Sequence, residues 1–286
     1  VASPAPGAHS HVRREAAAAG DRLNPMAELD GRPVSPEQLR ALALVNLGHF
    51  TSLRVDDGGV RGLSLHLERL ARDCRTVFEA ELDTGRVRTL VRRAVQNAGR
   101  GSCTARVTIF DPALDLGRPG NPAEPRTLVT VRPAGALTPA PMSVQTRAFQ
   151  RELPAVKHTG LFASLHHRRQ AQRAGFDDAL FAHPGSGLVS EGVTWNVGFI
   201  DAEGKVSWPQ ADVLPGVTLR LLQDAGHGTV RPFHRDRLAT SRAAFATNAA
   251  VGVRPIAAID DLRMRTDHPA LTALRESYTR IAPERL

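Results

Sequence analysis

Of the 37 basic residues in this chain, 35 are arginine and only two, Lys157 and Lys205, are lysine. A guanidinium stays protonated at any useful pH. A lysine amine can lose its proton, attack a carbonyl and form a Schiff base. The search for such an amine therefore has two positions to weigh. Lys205 ends Asp201-Ala202-Glu203-Gly204-Lys205, a polar turn between two apolar runs, which reads as an exposed hairpin. Lys157 lies between Pro154-Ala155-Val156 and a helical segment, and is the better candidate.

Other residues carry chemistry by type and setting. Glu191 stands in an otherwise apolar stretch, LVSEGVTWNVGF, where a buried carboxylate would need a cationic partner. Gly216-Val217-Thr218 opens a helix, and a helix start offers N–H groups and a favourable dipole to a phosphate. Arg69, in His66-Leu67-Glu68-Arg69-Leu70, could add a forked, permanent positive charge. Arg106, in TARVTIF, could meet a substrate carboxylate. His158, His166 and His167 are close in sequence, but His166 and His167 are adjacent and point to different sides of a helix. No metal site is predicted.

These residues need elements to hold them. An Asp-Gly turn within residues 28–34 joins two short strands, and Ser35-Pro36 starts a helix. Residues 49–55 read as a strand and 60–65 as its return. Helices follow over about 66–81 and 84–98, then strands over 104–110 and 127–131. RPAGALTPAP, from Arg132 to Pro141, has no periodic pattern, and residues 134–141 are taken as an interdomain linker. Beyond it come a strand at 143–149, a helix at 160–174 stopped by Gly175, and a strand at 178–182. Residues 188–200 are one long strand or a pair, 217–225 a helix, 244–256 strand and turn, and 268–281 the last helix. The expected organisation is a tail at 1–25, a small α/β domain at 26–133 and a larger one at 142–286.

Composition bounds the rest. With 286 residues, 42% hydrophobic and 23% charged, the chain can bury a substantial core. No apolar run approaches the roughly 18–20 residues of a membrane span. Two cysteines cannot build a disulfide framework, and a reduced, cytoplasmic setting is expected. The first 25 residues lack the apolar centre of a secretory signal and read as a flexible tail. The net charge of +8 raises nucleic-acid binding. The arginines are scattered, however, and aromatic residues are only 5%, so no nucleic-acid partner is expected.

The order Lys157, Ala174-Gly175-Phe176-Asp177-Asp178-Ala179-Leu180, Leu188-Val189-Ser190-Glu191-Gly192, Asn196 and Leu214-Pro215-Gly216-Val217-Thr218 resembles the fold-type IV pyridoxal-phosphate enzymes. That group holds branched-chain aminotransferases, D-amino-acid aminotransferases and aminodeoxychorismate lyases. The resemblance implies a mixed α/β, two-domain fold of the D-amino-acid aminotransferase type, a homodimer, and pyridoxal 5′-phosphate as cofactor. It implies Lys157 as the Schiff-base lysine and proton carrier, and Glu191 as the acid on the pyridine nitrogen. It gives Arg69, Gly216, Val217, Thr218 and the Asn248-Ala249 turn to the phosphate, with Asn196 as a local bracket. The implied activity is amino-group transfer between an amino acid and a 2-oxo acid.

The chain also departs from the family. VNLGHF replaces the usual Gly-Asp-Gly segment. Phe162 stands where branched-chain enzymes have a tyrosine, the only tyrosine being Tyr278, and Asn248-Ala249 is closer to the lyase pattern. Elimination of pyruvate, or a relic without turnover, stay open as alternatives.

Overall fold

The computed structural model describes residues 27–99 and 101–286. The N-terminal segment expected to be a flexible tail lies outside them. Asp30 and Gly31, both at positive φ, fold β1 (Ala27–Leu29) back onto β2 (Arg32–Pro33). Ser35 caps α1 (Pro36–Leu44) and forms a reciprocal capping box with Gln38. After β3 (Gly48–Asp56), a turn through Asp57 and Gly58 leads to β4 (Gly59–Val60).

The return strand expected over 60–65 is thus only two residues long, and the helix expected from 66 begins earlier. Gly62, left-handed at φ 69°, turns the chain, and α2 (Leu63–Phe78) starts at once. Its stripe of Leu63, Leu70, Cys74 and Phe78 wants a helical period, which outweighs the alternation in the preceding residues. Asp83 caps α3 (Thr84–Asn97). Next come β5 (Ser102–Phe110) and β6 (Arg126–Pro133).

Residues 134–141 have no regular structure. Past them run β7 (Met142–Ala148), α4 (Phe162–Arg173), β8 (Asp178–Ala182), β9 (Val189–Gly192), β10 (Asn196–Ile200), β11 (Val206–Pro209) and α5 (Val217–Asp224). The chain finishes with β12 (Thr229–Arg231), β13 (Ala243–Asn248), β14 (Gly252–Ile259), β15 (Leu262–Arg263), α6 (Pro269–Arg280) and β16 (Glu284–Arg285). Residues 188–200 are therefore two strands, not one. No helix among the described residues is long and apolar enough to cross a membrane.

Two sheets result. The first runs β16-β4-β3-β5-β6-β1-β2 and is antiparallel throughout. The chain end thus returns to the edge of the first sheet. One face of β3, β5 and β6 packs Leu53, Val55, Val107, Ile109, Val129 and Val131 against α2 and α3. The opposite face carries Phe50, Ser52, Arg106 and Arg132, since side chains alternate along a strand. The second sheet runs β12-β11-β10-β13-β14-β7-β8-β9, with β15 on β14. A further pairing of β9 with β10 closes β10, β13, β14, β7, β8 and β9 into a ring. That closure is the Glu191–Asn196 pair. The ring packs Val144, Leu180, Val197, Phe199 and Ile256.

Candidate active site

A cavity of about 320 Å³ is lined from both sheets and the loops between them. Phe50, Ser52, Arg106 and Arg132 come from the first sheet and Arg69 from α2. Lys157 comes from the loop before α4, and Glu191 and Asn196 from β9 and β10. Gly216, Val217, Asn248 and Ala249 complete the wall. Every predicted site residue except Thr218 lies on it. The Thr218 side chain is buried, one position into α5, facing Tyr278.

Lys157 is partly buried, with Nζ 4.8 Å from the centroid of the Phe50 ring. Its amine is pushed down to about 7. Loss of hydration is the largest cause, followed by the charges of Arg69 and Arg151, with Glu191 opposing. An amine in this setting is substantially unprotonated near neutral pH. Lys205, in contrast, lies in the exposed hairpin between β10 and β11, outside the cavity.

Glu191 is buried and has the cationic partner its apolar strand required: Arg151 Nε donates to Oε1 at 2.8 Å. Burial raises the carboxyl's proton affinity, and Arg151 works against that rise. Oε2 accepts the Leu214 N–H at 3.2 Å, while Asn196 Nδ2 donates to the Leu214 carbonyl at 2.9 Å. Glu191 and Asn196 thereby hold both backbone polar groups of Leu214, just before the α5 start. Gly216 is required there, because a Cβ would collide with Asn196 Oδ1.

Arg69 is buried on α2. Its terminal nitrogens reach Thr51 Oγ1 at 2.6 Å and the Pro215 carbonyl at 3.4 Å. Burial lowers it to about 10, with Asp73 opposing, so it remains a cation at neutral pH. Thr51 Oγ1 accepts from Arg69 and lies within hydrogen-bond distance of His66 Nδ1, at 2.7 Å. Burial, with the charges of Arg69 and Lys157, lowers the proton affinity of His66 well below the ordinary range.

The residues present suit an anionic, phosphate-bearing ligand. The α5 N-terminus has no side-chain cap. Thr247 Oγ1 and Arg69 Nε are buried without a hydrogen-bond partner among the described residues. Arg69, Arg106, Arg132, Arg151 and Lys157 line the cavity against the single acid Glu191. At Asn248 the side-chain oxygen accepts from Ala250 and Val251 and shapes the turn between β13 and β14.

Several contributors were not singled out from sequence. Arg151 could not be picked from so many arginines, although a cation was expected beside Glu191. Thr51, His66 and Asp73 gave no local signal. Phe162 has the sequence position noted above but not the place. It is 82% exposed at the start of α4, and Leu161 lines the cavity instead. Tyr278 is buried in α6 and does not line the cavity.

The family model described as amino-transferase class IV matches residues 48–259. No curated protein matches the sequence. Among solved structures, a branched-chain aminotransferase from the thermophilic archaeon Thermoproteus uzoniensis, solved with norvaline, is similar at TM-score 0.76 and 21% identity. That match covers 89% of this chain and 93% of the other. The branched-chain aminotransferase of Escherichia coli gives TM-score 0.77 at 19% identity, covering 90% and 94%. A PLP-bound hypothetical aminotransferase from Mycobacterium tuberculosis gives 0.74 at 21%, covering 90% and 98%.

Proposed function

This chain belongs to the class IV aminotransferase family, whose cofactor is pyridoxal 5′-phosphate; on that premise we propose that Lys157 is the amine that anchors the cofactor and carries the proton during transfer of an amino group between an amino acid and a 2-oxo acid. The observation that carries this reading is a lysine with its amine lowered to about 7, sharing one cavity with the Arg151-paired Glu191.

Bound there, the cofactor supplies an aldehyde for the amine and a ring that takes up electron density. The protein's part follows from the side chains. The Lys157 amine is free of its proton often enough to act as nucleophile, and it can accept a proton and return it. Glu191, paired with Arg151, which opposes the rise that burial causes, would hold a protonated ring nitrogen. Arg69, the uncapped start of α5 at Gly216, Val217 and Thr218, and the Asn248–Ala249 turn bind the phosphate. Arg106 lies 3.7 Å over the Phe50 ring with no carboxylate within 4.0 Å among the described residues. It is suited to a substrate carboxylate.

Lyase chemistry on the same scaffold is the second reading, favoured by a cavity lining without tyrosine. A homodimer and a cytoplasmic setting belong to the same proposal. Light scattering of purified protein tests the dimer, and fractionation of cells tests the location.

Purified protein should absorb in the visible range, and borohydride should bleach that band and fix the cofactor to one lysine. The fixed cofactor should map to the Lys157 peptide. Attachment at Lys205, or a colourless protein that takes up no cofactor, overturns the reading. Formation of a new amino acid from an added 2-oxo acid marks the transferase. Pyruvate released without an acceptor marks the lyase.

A further inference from the structure

Lys157 follows β7 in the chain, yet its backbone is gripped by elements of the first sheet and its helix. The Phe50 N–H donates to the Lys157 carbonyl at 2.8 Å, and the Thr159 N–H to the Gly48 carbonyl at 2.8 Å. On the other side, the Lys157 N–H donates to Asp73 Oδ2 at 3.0 Å. Arg72 donates to Asp73 Oδ1 at 2.7 Å and, from the same nitrogen, to the Ala155 carbonyl at 2.7 Å. The Arg72–Asp73 pair therefore holds this loop at two points, residues 155 and 157.

We propose that Asp73 is a positioning residue, whose carboxylate sets where the Lys157 amine stands in the cavity. The inference rests on the reading of Lys157 given above. Asp73 is fully buried and does not line the cavity, so it reaches the lysine through its backbone N–H, while its charge also supports the Arg69 cation. A buried carboxylate is costly unless its oxygens are occupied, and here Arg72 and the Lys157 N–H occupy them. Asp73 is four residues after Arg69 on α2, so both project from one face of a rigid element. One helix thus fixes the spacing between the phosphate-binding cation and the reactive amine.

The two lysines of the chain supply the test, because Lys205 is an internal reference. The full chain, stripped of cofactor, is trace-acetylated with acetic anhydride at pH 7, and the Lys157:Lys205 ratio is read by mass spectrometry. A Lys157 released from its desolvated place takes up a proton more readily and reacts less. Asp73→Ala should lower the ratio about tenfold and weaken pyridoxal 5′-phosphate binding, titrated by absorbance, by a similar factor. Asp73→Asn keeps an oxygen for the Lys157 N–H and should stay within about threefold on both.

If Asp73→Ala fails to fold, Asp73→Ser takes its place, being polar but too short to reach the same N–H. A ratio within twofold of the parent in the Ala or Ser variant overturns the proposal, even if its Tm falls. So does an Asn variant as impaired as Ala. Borohydride-fixed cofactor on Lys205 would instead refute the functional reading, and the acetylation ratio would still decide on Asp73.

Discussion

Arg151 Nε lies 2.8 Å from Glu191 Oε1, with both side chains more than nine-tenths buried. The pair stands at the strand bridge that closes the second sheet into a ring, because Glu191 is the β9 partner of Asn196. The ion pair therefore links ring closure to the cavity floor. Removing one partner leaves a buried charge without compensation, which typically costs about 3–5 kcal/mol. Arg151→Met should lower stability by that order in denaturant titration and weaken cofactor binding. Glu191→Gln leaves the Arg151 cation buried without its anion, so it should cost a similar amount in stability and should abolish turnover.

The lowered proton affinity of Lys157 has a consequence for stability. In the unfolded chain the amine would hold its proton up to its ordinary range near 10.5, whereas in the folded chain it loses it near 7. Between these values the unfolded state binds more protons, so this group's contribution to stability rises with pH. In cofactor-free protein, Lys157→Met should be the more stable form at pH 6. Its advantage should shrink as pH rises from about 7 to 10. A difference that does not change with pH over this window would argue against the depressed amine.

Arg69 offers a forked guanidinium that also bonds Thr51 and the Pro215 carbonyl. A lysine cannot reproduce that geometry. Arg69→Lys should bind pyridoxal 5′-phosphate at least tenfold more weakly, measured by titration of cofactor-free protein. Pyridoxal, which lacks the phosphate, should discriminate little between variant and parent.

Arg106→Gln should leave cofactor affinity within a factor of two while raising KM for the amino acid about tenfold or more. That split follows from a guanidinium that meets substrate and not cofactor. Steady-state kinetics beside cofactor titration checks it.

Gly216→Ala should be destabilising by about 1–3 kcal/mol, because its Cβ must displace the Asn196 amide. Asn196→Ala alone frees the Leu214 carbonyl. The double variant should cost less than the sum of the two, since the clash is gone once Asn196 is shortened. A double-mutant cycle measures the coupling.

Much of the local structure was legible in the chain of residues alone. The Ser35 cap, the Asp30-Gly31 turn and the α3 stripe follow from short-range chemistry and from the helical period. Where two periods overlapped, at residues 60–66, only packing decided. Burial of Leu63 against the first sheet, after the left-handed turn at Gly62, drew those residues into α2.

The amino-acid sequence by itself determined which chemistry was available: one amine suited to carbonyl attack, one acid in an apolar strand, and a glycine-led helix start. These are properties of residue type and immediate neighbours. Tertiary structure alone decided which of the 35 arginines would face Glu191 and that a carboxylate 84 residues earlier would hold the Lys157 backbone. It also took Phe162 out of the cavity despite its position in the chain. Such partners are chosen by strand order and loop path, and a contact between distant residues leaves no periodic trace in the chain that makes it.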